Sequence, residues 1–223
     1  MVTNIALSRE ESKEADDDDK ATLKVYTDVS GQEGKAGTAT VFFKGNTLMG
    51  MLHYHLGSLE QHITYKAELV GILLGLWLIR REPDVDLASL KADSQAAIQA
   101  LNTHTPRPGS HLLNEIHELS DSLYARSLSD LQLKISWISG HDGVAGNKRV
   151  DEEAKAAAKG DSSPWHELPP LLQSDPLPLS TTAAKPSSTF GPSWQRIGES
   201  SGRSRPTTST HPRLTRNSRP HHS

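Results

Sequence analysis

At 223 residues the chain has room for one domain, or for one domain with tails. Zero cysteines exclude a disulfide framework and any thiolate metal site, which fits an intracellular protein. The net charge of −3 divides unevenly: after residue 160 seven Lys/Arg face four Asp/Glu, leaving 17 basic and 23 acidic groups in the first 160 residues. That balance excludes a simple basic nucleic-acid binder, so a polyanion would have to be met locally or through bound cations.

The first 21 residues read as an acidic disordered segment. MVTNIALSREESKEADDDDK has no basic start followed by an apolar stretch, so it is neither a secretory signal nor a membrane anchor. DDDDK at 16–20 reads as an acidic linker or a protease site; adjacent side chains on a flexible segment do not converge on a metal. LKVYTDVS (23–30) is β-branched and aromatic and ends in turn formers, so a strand is predicted. AGTATVFFKGN and TLMGMLHYHLG both alternate, with Gly45-Asn46 as a hairpin signal between them, and three strands meander antiparallel.

From Thr64 to Arg81 the period becomes helical, with apolar residues on nearly every side, as for a helix packed on a sheet. Its run LVGILLGLWLI (69–79) is too short to span a bilayer. VDLASLKAD (85–93) returns to strand and SQAAIQAL to a short helix, with THTPRPGS (103–110) as a loop. HLLNEIHELSDSLYAR is an amphipathic helix, LQLKISWIS (131–139) the fifth strand with Trp137 as core, and GNKRVDEEAKAAAK the last helix. The order βββαβααβα implies an α/β domain over 22–160: a five-stranded mixed sheet, three antiparallel strands then two parallel, flanked by helices. Ten of the 13 prolines follow residue 160, in a Ser-rich basic stretch, so 161–223 is expected to be a disordered tail.

Four acids fall at comparable places in this outline. Asp28 ends strand one, Glu68 lies inside the apolar helix, Asp93 ends strand four and Asp151 sits in the first turns of the last helix. Each has an ordinary alternative. Asp28 could serve a turn, Asp93 could cap the helix starting at Ser94, Asp151 could pair with Lys155, and Glu68 with Lys66. Taken together, acids that can meet at one sheet edge concentrate negative charge that metal ions stabilise. Oxygen-only ligands point to Mg²⁺ or Mn²⁺ rather than Zn²⁺. His53, His55 and His62 invite a zinc reading, which strand spacing alone does not complete.

YTDVSG, YKAEL, KADSQAA and HDGVAGNKRVDEEAK stand in an order that resembles the ribonuclease H family, close to domains of retroelement reverse transcriptases, over about residues 22–159. The resemblance implies an endonuclease that hydrolyses the RNA strand of RNA·DNA hybrids with two Mg²⁺, Mn²⁺ substituting, held by Asp28, Glu68, Asp93 and Asp151. It implies that His141 relays protons or assists product departure, that Gly143 and Gly146 let its loop bend, and that Ser30, Gln95 and Asn147 contact substrate. Retrotransposon origin and a reverse transcriptase partner follow from the same likeness, with a noncatalytic nucleic-acid-binding remnant as the alternative. The chain departs from the pattern in Val29 after the first acid, in Lys66 two residues before Glu68, and in a 103–110 loop whose one basic residue is Arg107, which implies weak grip on the hybrid.

Overall fold

The computed structural model describes residues 1–59, 64–103, 109–127, 130–140 and 145–173. Two units divide the chain, Met1–Ser187 and Ser188–Ser223, and every described residue lies in the first. Six strands form one sheet: β1 (Val2–Asn4), β2 (Leu23–Gln32), β3 (Lys35–Lys44), β4 (Thr47–Ser58), β5 (Leu87–Ala92) and β6 (Gln132–Trp137), in the order β1-β6-β5-β2-β3-β4. β2, β3 and β4 are antiparallel, while β1, β6, β5 and β2 run parallel. Five helices accompany them among the described residues: α1 (Arg9–Asp17), α2 (Thr64–Arg81), α3 (Gln95–Ala100), α4 (Ser110–Arg126) and α5 (Ala145–Ala158).

The predicted core of the fold is present, from the meander through the α2 boundaries to the last helix. Glu33 (φ 50°) and Gly34 (φ 76°) turn the first hairpin, the left-handed pair that matches strand twist. α2 is apolar all round because it lies between sheet and helix: it packs on β2, β3 and β5 on one side and on α4 on the other. Val25, Leu73, Ile79, Leu90, Ile116 and Ile135 are fully buried in that layer. α5 covers the opposite face over β2, β3 and β4. Its approach is so close that a Cβ on Gly37 would strike the backbone of Ala157 and Ala158.

Two expectations need correction. Residues 1–21 are not a disordered segment: β1 adds a sixth, parallel strand beside β6, extending the expected five, and α1 follows it. Ser8 caps α1 by accepting from Glu11 N, while Glu11 Oε2 accepts from Leu7 N at 2.7 Å, close to a capping box. The acidic run is folded because it meets a buried cation. Lys91, 2 % exposed at its side chain, reaches Asp19 Oδ2 at 2.6 Å and Asp16 Oδ1 at 3.3 Å, and the Tyr26 hydroxyl donates to Asp16.

The stretch from 161 to 173, expected as part of a disordered tail, is likewise folded. Ser163 N donates to His53 O, and Ser162 Oγ and Ser163 Oγ accept from His55 N and His53 N, so this stretch caps the outer edge of β4. Short 3₁₀ turns at Trp165–Glu167 and Pro170–Gln173 then bury Leu168 and Leu172 in the α2 layer, where Trp77 Nε1 donates to Glu167 O. Residues 174–223 lie outside the described residues.

Candidate active site

Strand register brings the first two acids together. β2 and β5 pair with Tyr26 beside Lys91, so continuing the same register by two residues sets Asp28 next to Asp93. Asp93 follows the last residue of β5, whereas Asp28, expected to end its strand, lies inside β2, which runs on to Gln32 against β3. Side chains alternate along a strand, which puts Tyr26 and Asp28 on one face and Lys91 with Asp93 on the same face. Glu68 comes from the first turns of α2 on the other face and is 8 % exposed. Asp151 comes from α5, held against β2 where Gly146 lies on the ring of Tyr26; any Cβ there would collide with that ring. Glycine at 146 therefore serves close packing beside Asp28, a reason beyond the loop flexibility expected from sequence.

The four acids feel one another. Burial pushes the Asp28 carboxyl up to about 8, and the charges of Asp93 and Asp151 add to the rise, against the Val29 N–H and the Lys155 ammonium. Glu68 is driven well above the usual carboxylate range by burial first, then by Asp93 and Asp28. Such groups titrate as a set, because each charge disfavours the next. Glu68 Oε2 is buried and has no hydrogen-bond partner among the described residues. A buried carboxylate oxygen with no donor, within the field of two more carboxylates, Asp93 and Asp28, fits a hard cation with oxygen ligands. As the side chains stand, no three His, Asp or Glu among the described residues are drawn into a ready ligand cluster. Asp151 is turned to Lys155 Nζ at 2.6 Å.

The ordinary alternatives are partly realised. Asp28 Oδ1 accepts from Val29 N at 2.9 Å, and Asp151 does pair with Lys155 at i,i+4. The cap of α3 falls to Ser94, which accepts from Ala97 N, rather than to Asp93. Lys66 forms no ion pair with Glu68; it is buried, and burial holds its ammonium below the usual lysine range. His53 and His55 are taken up by α5 instead of by a metal: His53 Nδ1 lies 3.5 Å from Glu153 and His55 Nδ1 2.7 Å from Ala157 O. His62, Arg107 and His141 lie outside the described residues, as does the side chain of Asn147. The backbone at Gly140 does pass against Asp93, where a Cβ would stand 3.3 Å from Oδ2. Ser30 is half-buried in β2 two residues past Asp28, and Gln95 is exposed at the start of α3.

Trp137, expected as core only, does more. Its indole Nε1 donates to Asp93 O at 3.0 Å, tying the end of β6 to the third acid. An indole at the last residue of a strand neighbouring a strand that ends in Asp was the available signal.

The N-terminal RNase H domain of Rv2228c from Mycobacterium tuberculosis, solved as a fusion with maltose-binding protein, is 16 % identical over 61 % of this chain and 98 % of that one, with a TM-score of 0.48. RNase H1 from the halophilic archaeon Halobacterium salinarum gives 17 % over 62 % and 98 %, with a TM-score of 0.46. LC11-RNase H1, solved with an RNA/DNA hybrid, gives 15 % over 61 % and 96 %, also at 0.46. The family model for RNase H matches residues 20–159, more than half of the sequence and the span that carries all four acids, and the chain belongs to the RNase H family.

Proposed function

We propose that this protein is an endonuclease that hydrolyses the RNA strand of RNA·DNA hybrids, using divalent cations held by Asp28, Glu68, Asp93 and Asp151. The observation that carries the reading is the shared field of Asp28, Glu68 and Asp93, with Glu68 Oε2 buried and unpartnered among the described residues. Two Mg²⁺, or Mn²⁺ in their place, supply Lewis-acid activation of water and neutralise charge at phosphorus during in-line displacement.

The chain's own groups set the conditions for that chemistry. Asp28 is aimed from inside β2 and Asp93 from the end of β5, and Glu68 closes the site from beneath, where its burial excludes water from one side. Asp151, paired with Lys155 at 2.6 Å, would hold the cation from α5. His141, one residue past Gly140, is the candidate proton relay and aid to product departure. Gln95 and Ser30, with Asn147, are the candidate hybrid contacts, Gln95 toward the minor groove where 2′-hydroxyls distinguish RNA. A reverse transcriptase domain of a retroelement is the candidate partner that would deliver hybrids to a site with little basic surface of its own.

Labelled RNA·DNA hybrid, RNA duplex and DNA duplex incubated with Mg²⁺, with wild type and Asp93→Asn, test this reading. Cleavage confined to RNA in the hybrid and lost both in the variant and with EDTA is expected. Cutting of the DNA duplex, or binding with no cutting, would refute it.

A further inference from the structure

The N-terminal residues that precede the family match also touch the site. Ser12 is 2 % exposed, and its hydroxyl donates to Trp137 O at 3.3 Å and accepts from Ser139 N at 3.0 Å. One side chain thereby fixes two backbone groups at the end of β6, immediately before the stretch that leads to His141. Trp137 in turn donates its indole N–H to Asp93 O, and Ile138 N donates to Ala92 O. α1 is anchored at its other end by Asp16 and Asp19, on Lys91 and Tyr26. Those two anchors stand two residues before Asp93 and Asp28 on the same strand faces.

We propose that Ser12 is a positioning residue of the acid cluster: α1 clamps the carboxyl end of β6 through this hydroxyl, and so sets where Asp93 and Gly140 stand. The inference rests on the nuclease reading for its kinetic consequence, though not for its geometry. Loss of the hydroxyl leaves Ser139 N and Trp137 O without that partner, frees the strand end, and lets Asp93 drift. A misplacement of about 1 Å at a reacting group costs up to about 100-fold in rate.

The test uses the full chain with wild type, Ser12→Ala, Ser12→Thr, Trp137→Phe and Glu10→Ala, the last an exposed change on the same helix. Single-turnover cleavage of hybrid, KM, thermal melting and the Trp137 indole ¹H–¹⁵N resonance are read together. Expected for Ser12→Ala is a fall in cleavage rate of about tenfold, on the scale that misplacement sets, with KM unchanged, a displaced Trp137 resonance and a chain still folded at the assay temperature. Ser12→Thr restores rate and resonance, Trp137→Phe reproduces the rate loss, and Glu10→Ala changes neither. A Ser12→Ala protein with wild-type rate and an unmoved resonance overturns the proposal, as does an equal loss in Ser12→Thr. Should Ser12→Ala fail to fold, the rate of Trp137→Phe decides. If wild type itself cuts nothing, the nuclease reading fails, and the resonance alone decides whether Ser12 positions Trp137.

Discussion

Two acid clusters share one pair of strands and end in opposite states. In the first, Asp16 and Asp19 surround Lys91. Burial works to raise Asp19, yet hydrogen bonds from Lys91, Ser89 and Ala21 N, with the charge of Lys91, overcome it and pull the carboxyl down to about 2. In the second, two residues further along the same strands, Asp28 rises to about 8 and Glu68 rises too. The residue types are alike, but Asp28 and Glu68 are more deeply buried than Asp19. The chain supplies a buried cation to the first cluster, whereas the cation seen at the second among the described residues is Lys155 at its rim. The first cluster is a finished piece of architecture, whereas the second has the electrostatics of a site that receives its cation from outside.

The sharpest way to break the contrast is to remove the built-in cation. Lys91→Met leaves Asp16 and Asp19 buried and unpaired, and breaking a buried pair costs about 3–5 kcal/mol. Chemical denaturation is expected to show a loss of that size and release of α1, read as a fall in helical circular dichroism. Little change would mean that the first cluster is no more structural than the second.

The pH dependence separates the clusters by sign. The folded carboxyl of Asp28 sits above its ordinary 3.8, at about 8, so its contribution to stability is present below pH 3.8 and is lost as pH rises toward 8. Each proton so linked changes stability by up to about 1.4 kcal/mol per pH unit. Asp28→Asn is expected to flatten that slope between pH 5 and 8 in metal-free buffer, raising the melting temperature at pH 8 even though cleavage is abolished. Asp19 behaves in the opposite sense: with a folded value of about 2, its contribution is present above pH 3.8 and is lost as pH falls toward 2. Asp19→Asn should flatten only the acid limb of the stability curve. Melting temperatures measured from pH 2 to 8 on both variants check the two signs.

The smallest expected effect concerns the start of α1. Ser8→Ala removes the cap on Glu11 N, which typically costs about 1 kcal/mol. A shift of that order in denaturation midpoint, without change in cleavage, would show that capping and positioning along α1 are separable.

The parts legible in the sequence are those whose local pattern and tertiary role agree. β2, β3 and β4 were legible from their β-branched and aromatic runs and the hairpin signal, although β3 is covered on both faces, by the α2 layer and by α5. α2 is apolar all round because it is covered on both sides. The four acids were legible from their motifs and the order of the elements, although Asp28 lies inside β2 rather than at its end. α1 was not, because REESKEADD carries no apolar stripe and its folding depends on Lys91, a charged residue that reads as surface in LASLKA. The Ser8-x-x-Glu11 capping pattern was its one local signal. In the segment after 160, Leu168 and Leu172 were hidden among prolines and serines, since their burial depends on Ser162 and Ser163 first docking on β4.

Calorimetric titration of wild type and Asp28→Asn with Mg²⁺ at pH 7, in two buffers of different ionisation enthalpy, addresses the acid cluster most directly. If Asp28, Glu68, Asp93 and Asp151 await a cation, wild type binds Mg²⁺ with net release of protons, because binding ionises carboxyls that burial and repulsion hold protonated, and Asp28→Asn loses most of both. Absence of Mg²⁺ binding by wild type, or binding with no proton release, would contradict the account.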